Sequence, residues 1–114
     1  MTPTQRTLAY LKERGITAGV VERWIPRARV RKDLFGIIDI IGIYKYSIVG
    51  IQSCSGSGFS KHDKKIMVSD NTRKWLETGA ELWLVGWRKV KKKRGGKQMV
   101  WKSRVKEYKL EDFG

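Results

Sequence analysis

The 114-residue chain carries 25 Lys and Arg against 11 Asp and Glu, a formal net charge of +14 and a pI near 10.2. That is length for one ordinary core and too little for a second domain, and the charge points to a polyanionic partner, nucleic acid ahead of an anionic membrane surface. One cysteine, Cys54, excludes an internal disulfide and, with the one histidine, His62, is too little for structural zinc. No apolar run is long enough to span a bilayer, and TPTQRTLAYL lacks the basic-then-apolar layout of a signal peptide. The expected location is the cytoplasm, with no membrane partner.

In chain order, TQRTLAYLKER (4–14) follows a Thr-Pro start and stops at Gly15, which predicts a short amphipathic helix with Leu8 and Leu11 inward. ITAGVVERWIP reads as one outer strand ended by Pro26. RARVRK then places Arg27, Arg29, Arg31 and Lys32 just ahead of the most apolar part of the chain. Such a run is either a solvated loop or a grip on phosphates.

IIDIIGI (37–43) is dense in β-branched residues without alternation, as in a strand buried on both faces. After a tight turn at YKYS, SIVGIQSCS (47–55) reads as its antiparallel partner. These strands bring Asp39 and Gln52 onto neighbours. An ionised carboxylate in an apolar strand costs several kcal/mol unless it is paired or bound to a cation, so Asp39 marks either a site or a strand end where it caps a loop.

Beyond the Gly/Ser link 55–60, KHDKKIMVSDNTRKWLETG reads as one helix, broken around Ser69–Asn71 and ended by Gly79. ELWLVGWRKV (81–90) alternates Trp83, Val85 and Trp87 against Leu82 and Leu84, a strand covered on both faces. KKKRGGKQ turns the chain into MVWKSRVKEYKL, giving a basic hairpin at 88–106 with Lys91, Lys92, Lys93 and Arg94 at its tip. The expected fold is a single α/β domain, residues 1–114, with a central mixed sheet flanked by helices in the order α-β-β-β-α-β-β.

FGIIDIIGI followed after a hairpin by VGIQSCS resembles the core of the PD-(D/E)XK nuclease superfamily, which includes Holliday junction resolvases and phage-encoded nucleases. The resemblance covers roughly residues 4 to 88. It implies a restriction-endonuclease-like core, a Mg²⁺ or Mn²⁺ cofactor, DNA as substrate and a homodimer, with Asp39 and Gln52 as metal ligands. Cys54 stands where the motif has Lys. The resemblance then implies an amine from the following helix, Lys61, Lys64 or Lys65, with Lys64 preferred. It also implies an acidic or amide group from the first helix, Gln5 ahead of Glu13. Asp33 either faces the metal or caps a turn. Arg27, Arg29, Arg31, Lys32 and the tip Lys91–Arg94 are the expected phosphate contacts.

The missing Lys leaves two other classes open: a nucleic-acid-binding module with a degenerate site, and an interaction protein whose basic face meets an acidic partner. Cys54 as a nucleophile has little behind it, since His62 lies beyond a Gly-Ser link. The five tryptophans read mainly as core, with Trp87 or Trp101 available to stack on an unpaired base.

Overall fold

In a computed structural model that describes residues 1–113, the first helix, α1 (Pro3–Glu13), begins on a capping box. The Thr2 hydroxyl accepts from the Gln5 N–H, and the Gln5 side chain accepts in return from the Thr2 N–H, with Pro3 opening the helix. Gly15, at φ 73, turns the chain out of the helix. The strands are β1 (Thr17–Val20), β2 (Arg23–Ile25), β3 (Val30–Lys32), β4 (Ile40–Tyr44), β5 (Ser47–Ser55), β6 (Glu81–Lys91) and β7 (Met99–Tyr108), with α2 (Phe59–Val68) and α3 (Asp70–Glu77) between β5 and β6.

Five strands form the central sheet in the order β1-β4-β5-β6-β7, antiparallel throughout except for the parallel β5/β6 pair that α2 and α3 connect. β2 and β3 form a separate two-stranded hairpin. This is the expected α/β architecture, a mixed sheet between helices. The alternation read in β6 is what separates its two cores. Trp83 and Val85 join Leu11, Ile16, Ile40, Val49 and Ile51 on the α1 side. Leu82 and Leu84 join Ile38, Cys54, Phe59, Ile66 and Leu76 on the α2/α3 side.

Close approach on the second face depends on two glycines. A Cβ at Gly86 would lie 2.6 Å from the Phe59 ring, and one at Gly50 would lie 2.6 Å from Ile38 Cδ1. Phe59 of α2 and Ile38 of the turn before β4, with Trp75 of α3 at 3.0 Å from the Gly50 position, therefore settle onto a sheet that is locally bare of side chains.

Three expectations need correction. Residues 16–26 do not form one strand: β1 stops at Val20, because Val21 and Glu22 leave the sheet and the chain folds back on itself as β2–β3. The stretch 37–43, expected to be a strand buried on both faces, is extended only from Ile40, since Leu34 to Ile38 form a tight turn with Phe35 and Gly36 at φ 56 and 74, and its far end is open, with Ile43 61 % exposed. Residues 61–79 are two separate helices rather than one broken one, parted at Ser69, inside the Ser69–Asn71 stretch where the break was expected. Ser69 is extended and caps α3 through Asn71 N–H, and α2 starts two residues earlier than expected, at Phe59. The order is therefore α-β-β-β-β-β-α-α-β-β.

Candidate functional site

The β4/β5 ladder ends at the pair Ile40↔Ile51, closed by the bond from Asp39 N–H to the Ile51 carbonyl. Beyond it the strands part. The next β5 amide, Ser53 N–H, donates instead to the Asp39 carboxylate at 3.2 Å to each oxygen. Asp39 thus occupies a fork in the sheet and replaces a strand carbonyl, the strand-end capping weighed from the sequence. At 4 % exposure it is buried.

Gln52, equally buried, reaches into the same fork. Its Nε2 donates to Asp39 Oδ2 at 3.0 Å and to Asp33 Oδ2 at 3.1 Å, while its Oε1 is buried without a partner among the described residues. Asp33 also receives Lys65 Nζ at 3.4 Å, and Glu22 receives Arg31 Nη1 at 2.9 Å. Carboxylate oxygens of Glu22, Asp33 and Asp39 all lie within 4.8 Å of one another. Exposure rises from the buried Asp39 to the half-buried Asp33 and Glu22, so the cluster opens from the sheet toward solvent.

The electrostatics follow from that placement. Burial pushes the Asp39 carboxyl up to about 6, with the charges of Asp33 and Glu22 adding to it and the bonds from Ser53 and Gln52 opposing it. Three converging carboxylates are an oxygen donor set that could hold a divalent cation, and the Gln52 atom now facing them is its Nε2. The two atoms of the Gln52 amide are near-isosteric, and exchanging them presents the orphaned oxygen to the carboxylates.

Among the amines weighed from the sequence, Lys65 meets the cluster, one position on from the preferred Lys64. Lys61 and Lys64 are exposed and make no side-chain hydrogen bond or ion pair among the described residues. The phase of α2 decides this, and it depends on the start at Phe59. Gln5 is spent on the cap of α1, and Glu13 is exposed at the opposite end of that helix, so neither joins the cluster.

Cys54 is 5 % exposed, and its thiol is pushed up to about 11 by burial and by the Asp39 charge, against the pull of Lys65. It is a neutral core group that cannot supply the positive charge of a lysine. His62 bonds to the carbonyl of Gly58, the residue just before its helix, at 2.8 Å.

Arg27 and Arg29, at the turn of the β2–β3 hairpin, and Lys32, in β3, are exposed. Arg31 is exposed too, but its guanidinium is held by Glu22. Lys91, Lys92, Lys93 and Arg94 sit exposed at the tip of the β6–β7 hairpin. Sequence reasoning missed Glu22 and Ser53. The signal for Glu22 was its place opposite Asp33 around RWIPRARVRK, a stretch able to close on itself at Pro26–Arg29. Comparison with protein-family models, with curated proteins and with solved structures finds no match to this chain.

Proposed function

We propose that this chain hydrolyses nucleic-acid phosphodiesters, as a DNA endonuclease dependent on Mg²⁺ or Mn²⁺. The observation that carries the reading is the convergence of Glu22, Asp33 and Asp39 at the fork between β4 and β5. The resemblance to PD-(D/E)XK nucleases on Asp39 and Gln52 supports it, as does the charge of +14. Glu22, Asp33 and Asp39 would hold the cation, joined by the Gln52 oxygen when that amide's two atoms exchange places.

When bound, such a cation supplies hydroxide from water and draws charge off the scissile phosphate. The chain's own residues do the rest. Asp39, fixed by two bonds to the Ser53 amide, sets the position of the donor set. Lys65 offers a positive charge at its rim, where charge develops on phosphorus. Arg27, Arg29 and Lys32 hold flanking phosphates on a hairpin whose two ends are acids of the cluster. A homodimer, which would bring two such sites to a symmetric duplex or junction, belongs to this reading.

The test is cleavage of labelled single-stranded, duplex and four-way-junction DNA with Mg²⁺ or Mn²⁺. Cutting that disappears in Asp39→Ala and Asp33→Ala while DNA binding survives supports the reading; binding without cutting under both metals overturns it. Cys54 favours the second reading, a nucleic-acid-binding module that has lost the reaction. That reading expects salt-sensitive binding that Asp39→Ala leaves intact or strengthens.

A further inference from the structure

Away from the carboxylates, a groove of about 450 Å³ runs between α1 and the β6–β7 hairpin, within the size range of small-molecule sites. Its walls interleave aromatic rings with cations. The Arg6 guanidinium lies 3.7 Å above the ring of Trp101, and that of Arg14 lies 3.5 Å above Tyr10. Tyr10 meets Trp87 edge to face at 5.9 Å, and Trp87 is fixed in turn by donating from Nε1 to the Thr7 hydroxyl at 2.9 Å. Glu13 is the one acid in the lining, against Arg6 and Arg14.

Trp101 belongs to neither core and is 44 % exposed. Packing does not account for a tryptophan left open under a guanidinium. Flat rings, planar cations and a net positive lining fit a ligand that joins π-faces to negative charge, which is the chemistry of unpaired nucleotides.

Position on the sheet decides between single and double strands. Trp87 is in register with Ser55, two residues past Ser53, so the near end of the groove is only about 7 Å along β5 and about 5 Å across from the residue that holds Asp39. It opens, however, on the α1 side of the sheet, whereas Gln52 projects on the α2 side. A chain joining the two must round the rim beside Thr4, whose hydroxyl is 3.2 Å from that of Ser53. Duplex DNA is too stiff for such a turn, and a single strand is not.

We infer that the α1/β6–β7 groove is a stacking subsite for a single-stranded nucleic-acid segment, in which the Arg6 guanidinium moves off the Trp101 ring onto a phosphate and a base takes its place on that platform. The inference deepens the nuclease reading by naming an unpaired flank as part of the substrate, but its test needs no cleavage.

The experiment is fluorescence anisotropy of labelled oligothymidylate of about 12 nucleotides, a length within single-strand site sizes, and of blunt duplex, both without divalent cation. Trp101→Ala should weaken single-strand binding about 5- to 150-fold, the worth of one base–aromatic stack, while duplex binding moves less than about twofold. Trp101→Phe should restore most of the loss, which also shows that the effect is stacking rather than folding. Arg6→Ala should reduce single-strand binding in the same selective way. Unchanged single-strand binding in Trp101→Ala overturns the inference, as do equal losses on both DNAs or competition by polyglutamate as effective as by oligonucleotide. Cleavage that fails alongside selective stacking overturns the nuclease reading alone.

Discussion

Glu22 and Asp33 face each other across the base of one β-hairpin: Glu22 is the second residue before Trp24 and Asp33 follows Lys32, and their carboxylates lie within 4.8 Å of each other and of Asp39. Two ionised carboxylates at about 4 Å repel by roughly 4 kcal/mol in a partly screened protein environment. Arg31 on Glu22 and Lys65 on Asp33 offset part of this, and both cations are solvent-accessible and correspondingly weak. What remains is a local excess of negative charge in a strongly basic chain.

A divalent cation should therefore stabilise the fold. Thermal unfolding with Mg²⁺ or Mn²⁺ at about a hundred times its dissociation constant should gain about 2.7 kcal/mol, a shift of several degrees. Asp33→Ala and Glu22→Ala should each remove most of that gain, and chelator should restore the baseline. A melting temperature indifferent to metal in the wild type would remove the basis for the cluster as a cation site.

Asp39 should make stability fall with rising pH in a defined window. Its folded pKa of about 6 lies above the unfolded 3.8, so between these values the folded chain binds more protons and loses stability as pH rises, with the loss complete above about 6. Two units correspond to roughly 3 kcal/mol as an upper figure. Asp39→Asn, which keeps an acceptor for the Ser53 amide without the charge, should be more stable at pH 7 and flat across the window. Urea titrations at pH 4 and pH 7 read the difference. Equal pH slopes in the two chains would contradict it. In the proposed reading the same substitution abolishes cutting, and wild-type activity rises with pH through about 6.

The lysines separate by helix phase. Lys65→Ala should lower the rate of DNA cutting about 100- to 1,000-fold, the usual loss for a group that stabilises transition-state charge. Lys64→Ala, one residue away and free of the cluster, should leave the rate within a fewfold. Single-turnover rates on one duplex decide between them, and the opposite ranking would reassign the amine.

Gly50→Ala should destabilise the domain by about 1–3 kcal/mol through overpacking. The new methyl would lie 2.6 Å from Ile38 Cδ1 and 3.0 Å from Trp75 Cζ2, and Ile38 is the neighbour that seats Asp39. The shift in denaturant midpoint measures it, and a midpoint equal to that of the wild type would mean that the Ile38 turn yields freely.

The main sheet was legible where burial was strong and periodic. β5 and β6 carry apolar residues on both faces, and the hairpin between β4 and β5 follows from two apolar runs around YKYS. Asp39 and Gln52 stood out because they interrupt those runs. Glu22 did not, because the strands beside it, RWI and VRK, are exposed or only half-buried and leave no pattern for a core to impose. Lys65 was hidden by its neighbours: in KHDKKI several lysines compete, and the turn of helix that selects one is set by Phe59 packing on Gly86, a tertiary contact with no local signature.

The β2–β3 hairpin forms its own small sheet, with no ladder to the central one. Opening it would cost little of either core, so it belongs to the parts of the chain expected to exchange their amide hydrogens early, ahead of β5 and β6. Yet its ends hold two of the three clustered carboxylates. A cation that ties Glu22 and Asp33 to Asp39 would close that segment, and phosphates gripped by Arg27 and Arg29 would bias the same closure from the other end. In the proposed reading the two ligands are then linked through one element. By thermodynamic reciprocity, the factor by which metal tightens DNA must equal the factor by which DNA tightens metal.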